Sequence, residues 1–402
     1  MKISTLLFFG LFQFVISGIL ANILPVSFDS IGVILAVLSI ISIPFIVYRG
    51  EKVSIIIILS LFISLLYLIY CVNTFEVIAG LDASRYYAFL LQYDSIKDII
   101  NDAILRVLSF HDNGIINGPG SYFVFGAPVH FFFLMMPSKF ASYIVIFNYI
   151  FKMIFLYIFK NIIDGYISKV YCSILISLLV LSPTLNYFVA IFGKDVFIFS
   201  LTFLLAHYAI KILNSELTFK NPIILAGVVL LAFYCLLLRP YSPVVACLYA
   251  ILITGHVRYA KFAVLGTLAV IGLYATRNLL IIVNWPLLFG FMYLAPNPVS
   301  ATNYDNYTLF PVLCVILTII IISVRLFGAN TILIDKKLIL SLVLIFVYSA
   351  IMTLVGFYAN AENSYGLGSV GDAIFRKQLL IIPLVLLSII LLYRTKMKRV
   401  HL

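Results

Sequence analysis

Apolar runs of about 18 residues or more recur from end to end of this 402-residue chain, and no other feature limits its fold so severely. Rising about 1.5 Å per residue, a helix of that length crosses a hydrocarbon core of about 30 Å. Inside such a core every backbone N–H and C=O must be satisfied within the protein, which leaves helices or a closed barrel. The runs lack the two-residue alternation of barrel strands and are read as helices. Hydrophobic residues make up 64% of the chain and charged residues 10%, more apolar than an aqueous domain can bury. The expected fold is an all-α polytopic membrane protein, a single integral domain over 1–402.

Twelve spans are expected, near 4–24, 31–48, 53–72, 140–160, 170–190, 196–213, 222–238, 241–256, 262–283, 308–326, 338–357 and 377–393. Lys2 and the apolar stretch up to Leu24 have some look of a signal peptide. The stretch is too long and no small-x-small cleavage site follows, so it is taken as the first span.

Lysine and arginine set the orientation. With the N-terminus in the cytoplasm, sixteen basic residues fall on that side, from Lys2 to Arg399, against four acids, Glu51, Asp164, Glu216 and Asp335. Nine basic residues fall outside over longer loops, and Lys152 falls within a span. Both termini are therefore expected in the cytoplasm. The net charge of +11 reads as a topology signal carried in short loops, not as a nucleic-acid surface. All five cysteines, Cys71, Cys172, Cys235, Cys247 and Cys314, sit in or beside apolar runs, where they read as small buried hydrophobes.

Ser121 to Pro137 is apolar enough for a thirteenth crossing, but counting it would place every later basic loop outside. It is expected to be re-entrant or to lie at the surface, within a long outer loop over 73–139. Tyr93 to Phe110 in that loop carries Ile96, Ile99, Ile100, Ile104, Leu105 and Leu108 at helical spacing among charges. This suits an amphipathic helix, either interfacial or packed on the protein. Shorter outer segments are expected at 284–307 and 358–376.

Ionisable residues at membrane depth or at helix ends are costly and tend to mark substrate paths. Four outer clusters carry them. Gly80 to Tyr87 places Asp82 and Arg85 three apart, on one face if helical; a local ion pair would also explain them. Ser182-Pro183-Thr184 leads to Gly193-Lys194-Asp195, where a broken helix admits two charges; a turn facing water is the plainer reading. Leu238-Arg239-Pro240-Tyr241 puts an arginine in a tight hairpin, where it can snorkel or grip phosphate. The last outer segment holds Glu362, Asp372, Arg376 and Lys377. Arg277 near the ninth span is a weaker member of the set.

Other patterns carry no chemistry. Gly366-Leu-Gly368-Ser-Val-Gly371 fits a dinucleotide glycine pattern but has no βαβ unit around it. His111 and His130 have no companions at metal-ligand spacing, so no metal or cofactor is expected. No Walker loop, Gly-x-Ser-x-Gly elbow or arginine-bearing voltage-sensor helix is present.

Taken together, Gly80-Leu-Asp82 through Tyr86-Tyr87, Ser182-Pro183 with Gly193-Lys194-Asp195, Leu238-Arg239-Pro240 and Arg376 resemble the bacterial polysaccharide repeat-unit polymerases of the Wzy type. The resemblance covers most of the chain as topology, through short motifs. It implies a GT-C-like glycosyltransferase bundle in the bacterial inner membrane. Such an enzyme moves a growing glycan from its polyprenyl pyrophosphate carrier onto a lipid-linked repeat unit at the periplasmic face. It would work beside a chain-length regulator and a flippase of the same pathway. On this reading Arg85, Lys194, Arg239 and Arg376 hold the carrier pyrophosphates, with Asp82, Asp195 and Glu362 as candidate bases. Tyrosines and Trp285 could stack on sugars, though an interfacial anchor is the plainer role for Trp285. A lipid-linked oligosaccharide flippase, an O-antigen ligase and another polyprenyl-phosphate-dependent glycosyltransferase remain open alternatives.

Overall fold

The computed structural model describes residues 3–48, 50–74, 77–78, 81–108, 119–215, 222–239, 241–277, 331–332, 336–359, 379–394 and 397–398. The span expected at 308–326, the segment 284–307 with Trp285, and nearly all of 358–376 with Glu362 and Arg376 lie outside the described residues. The chain divides into two compact units, Met1–Ala250 and Ile251–Leu402.

In the first unit the apolar runs are helices. They are α1 (Ile3–Ile23), α2 (Phe28–Ile46), α3 (Ser54–Thr74), α4 (Leu81–Gln92), α5 (Ile96–Leu108) and α6 (Pro119–Phe133). After a 3-10 turn at Ala141–Tyr143 come α7 (Ile144–Ile163), α8 (Lys169–Leu181), α9 (Pro183–Ala190), α10 (Asp195–Leu213), α11 (Pro222–Leu238) and α12 (Ser242–Thr254), the last running to the unit boundary and four residues past it. Their bounds follow the expected spans closely, because each run ends where charge or Pro/Gly enters. Among the described residues of the whole chain, six helices are long and apolar enough to cross a membrane, or seven if the bent pair α8–α9 counts as one. This is the architecture of a helical membrane protein.

Helix α7 is the axis of this unit. Its apolar window is 89% buried, against 33% for α1 and 44% for α2 and α3. Phe147, Phe151, Phe155 and Phe159 recur every four residues on α7 and so share one stripe. They meet Phe197, Phe199 and Phe203 of α10, with ring centroids 4.7 Å apart for Phe151–Phe197 and 4.1 Å for Phe155–Phe199. Edge-on and tilted aromatic pairs at these separations each add about 0.5–1.5 kcal/mol to the burial of their area. The outer helices instead leave Phe8, Leu11, Ile55, Leu59 and Phe62 exposed, a surface suited to hydrocarbon rather than water.

Polar contacts mark the two ends of the unit. At one end Lys160 Nζ donates to Phe45 O (3.0 Å) and Val47 O (2.9 Å), and Lys169 pairs with Glu51 at 3.5 Å. At the other end Asn22 donates to Met135 O (2.9 Å), Tyr87 to Lys139 O (3.0 Å), and Phe192 N to Val77 O (2.8 Å). This second end carries α4, α5 and α6. Helix α6, the segment expected to re-enter or lie at the surface, is about 22 Å long at about 1.5 Å per residue, short of a full crossing. It packs along α4, α5 and α11, and Phe125 at its centre meets Tyr86, Phe147 and Phe197. Helix α5 turns Ile99 onto α6 beside Gly126 and leaves Ile100 and Ile104 exposed.

In the second unit α13 (Val257–Arg277) packs along α14 (Lys336–Ala359), and α14 along α15 (Ile382–Arg394). Ser388 donates to Ser341 at 2.8 Å between the last two. Thr331–Ile332 and Met397–Lys398 form a two-residue antiparallel pair.

Candidate functional site

The helix break between α8 and α9 sets the site's geometry. Pro183 lacks the N–H that a continuous helix would use, and the chain bends by 46° there. The Ser182 hydroxyl accepts from Leu185 N at 3.3 Å and so caps the new start. Val180 O, at the break, accepts from the Asn186 amide (3.1 Å) and from Lys152 Nζ (3.3 Å).

Lys152 is fully buried in α7. Its ammonium also donates to Ser64 Oγ (2.8 Å) and Asn186 Oδ1 (2.5 Å), so its three N–H bonds all end on neutral oxygens. One turn earlier on α7, Asn148 donates to the carbonyls of Val189 (3.2 Å) and Ile191 (2.9 Å) at the far end of α9. Two polar side chains four apart on the central helix thus grip both ends of the short helix. These residues were not among the sequence candidates. The signal was there: an asparagine and a lysine spaced at i and i+4 inside an otherwise apolar span.

The chain beyond α9 delivers two charges. Lys194 precedes the first residue of α10 and Asp195 opens it; both are buried. A carboxylate in a helix's first turn is favoured by the helix dipole. Lys194 Nζ donates to Leu238 O at the end of α11 (3.3 Å) and lies 5.9 Å from the centre of the Tyr86 ring. Arg239, just past α11, brings Nη2 to 3.6 Å from Asp195 Oδ1 and its guanidinium to 6.0 Å from the Tyr241 ring.

Three of the four sequence clusters therefore meet at one end of the first unit. The first contributes through Tyr86. Ala83, Tyr86 and Leu90 form the buried face of α4, while Arg85 is exposed, off that face. Asp82 lies in the first turn of α4, and its side chain is outside the described residues. Glu362 and Arg376 of the fourth cluster are likewise outside them.

No family model, curated protein or solved structure matches this chain. The chemistry of the site therefore rests on its own residues.

Among the described residues, two cations and one carboxylate come together here mostly out of water, a centre with an excess of positive charge. Such a centre favours an anion, and more strongly than it would in bulk water. Arginine's fork suits the paired oxygens of a phosphate. Tyr86, Phe89, Tyr93, Phe125 and Phe192 line a hollow of about 10 Å³ beside the cluster, room for about one water. A larger ligand must therefore sit over the cluster rather than in that hollow. Among the described residues no three His, Cys, Asp or Glu side chains group as metal ligands.

Proposed function

We propose that this chain is a glycosyltransferase of lipid-linked glycan assembly, a polysaccharide repeat-unit polymerase acting at the periplasmic face of a bacterial inner membrane. The observation that carries the reading is the meeting of Lys194, Asp195 and Arg239 at one end of the bundle. On this reading the protein has twelve spans in a GT-C-like arrangement and both termini in the cytoplasm.

Lys194 and Arg239 hold the pyrophosphate of a polyprenyl carrier and stabilise the charge that grows on it as the glycosidic bond breaks. The oxygen of an incoming sugar hydroxyl forms the new bond to the anomeric carbon. Its proton passes to a carboxylate, and polyprenyl pyrophosphate leaves with the electron pair of the broken bond. Asp195 orients Arg239 and is the described carboxylate nearest the phosphate position. Asp82, Glu362, Arg85 and Arg376 remain candidates for the same acid–base and phosphate roles. Tyr241 offers a ring face to the sugars.

Loss of the protein in a producing cell tests the reading. A polymerase defect leaves single repeat units on the outer face. A flippase defect traps them on the cytoplasmic face, and that outcome would transfer the anion site to transport.

A further inference from the structure

A second feature lies in the other unit, among residues that the glycosyl-transfer reading does not use. Helices α13 and α14 run side by side with their N-termini at the same end, and between their first turns opens a groove of about 660 Å³. That lies within the range of about 300–1,000 Å³ typical of small-molecule sites. Ala260 and Leu340 form a buried floor, 3% and 7% exposed, whereas Leu265 and Ile339 on the walls are 61% and 48% exposed. The walls are almost wholly apolar. Two cations line the mouth, Lys261 on the second turn of α13 and Lys336 at the first residue of α14, both exposed.

Charge selects the occupant. The starts of the two helices carry Arg258, Lys261, Lys336 and Lys337 against one acid, Asp335, which lies outside the described residues. The two helix N-termini add their positive dipole ends on the same side. By the charge rule these basic starts face the cytoplasm, where basic pockets between helices hold anionic headgroups. An apolar trough with cations only at its mouth has the polarity pattern of one lipid: phosphate at the top, acyl chain below.

We propose that this groove binds one anionic phospholipid of the cytoplasmic leaflet, its phosphate between Lys261 and Lys336 and an acyl chain along Leu265, Ile339 and Val343. The site stands apart from the glycosyl-transfer reading.

The purified full chain in neutral detergent is titrated with phosphatidylglycerol and, separately, with phosphatidylcholine, and bound lipid is counted by native mass spectrometry. Phosphatidylglycerol is retained on the order of tenfold better, as two lysines near a headgroup provide. Lys261→Gln with Lys336→Gln brings its retention down to that of phosphatidylcholine. Leu265→Trp, which fills the trough and leaves both lysines in place, lowers the retention of both lipids. Equal retention of the two lipids by the unaltered chain overturns the proposal. So does retention unchanged in every variant, the result expected if residues 278–330 or another protein surface cover the groove.

Discussion

Arg239 reaches to 3.6 Å from Asp195 across the ends of two different helices, the arginine just past the C-terminus of α11 and the aspartate at the N-terminus of α10. Each charge sits at the helix end whose dipole favours it. The pair is mostly out of water, with side chains 23% and 7% exposed, so removing one partner weakens the compensation of the other's buried charge. Arg239→Ala and Asp195→Ala should each lower the melting temperature in detergent. The double variant should lose less than the two single losses combined, with a coupling of about 0.5–3 kcal/mol. Strict additivity would mean that the two groups do not interact.

Activity should divide the arginines of the sequence clusters. Arg239→Ala and Lys194→Ala are expected to cut polymer formation on the order of 100-fold, the scale for losing one preorganised charge stabiliser. Arg239→Lys should fall between, since an ammonium keeps the charge and loses the fork. Arg85→Ala should change polymer yield less than either, because Arg85 stands exposed, off the buried face of α4 that carries Tyr86. The check is polymer length and yield at matched membrane abundance.

Lys152 should matter for stability out of proportion to its distance from the charged cluster. Lys152→Ala removes three buried hydrogen bonds, each worth about 0.5–1.5 kcal/mol, and leaves a cavity where the lysine stem was, while the Ser64–Asn186 and Asn186–Val180 bonds remain. A large fall in melting temperature is expected, whereas Lys97→Ala on the exposed face of α5 should change it little.

Orientation can be read chemically. With Cys247 and Cys314 replaced by serine, Lys97→Cys should react in intact cells with a membrane-impermeant maleimide, and Lys52→Cys only after permeabilisation. Both positions are exposed, and they lie at opposite ends of the first unit. The reverse pattern would put the Lys194–Asp195–Arg239 cluster in the cytoplasm.

The helices were legible because hydrocarbon length and charge punctuation leave little freedom. The apolar run ending before Asp164 is α7, and the run broken by Ser182-Pro183 is α8 with α9. The charges of the site were legible too, as local exceptions to the basic-residue rule. Their convergence was not, because it depends on how far α9 tilts and where α11 ends, and packing decides both. For the same reason the sequence favoured Arg85 over its neighbour Tyr86, since nothing local told which face of α4 is buried. Lys152 is visible in the sequence as a lysine within a span, but its role is not, because its partners are distant in the chain. Ser64 and Asn186 come to it from two other helices.

The most direct test of the account is elongation in a defined system. The purified chain is incubated with a polyprenyl-pyrophosphate-linked repeat unit, and the products are separated by size. The account predicts a ladder of multiples of the repeat, with release of polyprenyl pyrophosphate, and a yield lower on the order of 100-fold from Arg239→Ala protein that elutes as the unaltered chain does. A ladder of undiminished yield from Arg239→Ala, or none from the unaltered chain with any lipid-linked donor offered, would contradict it.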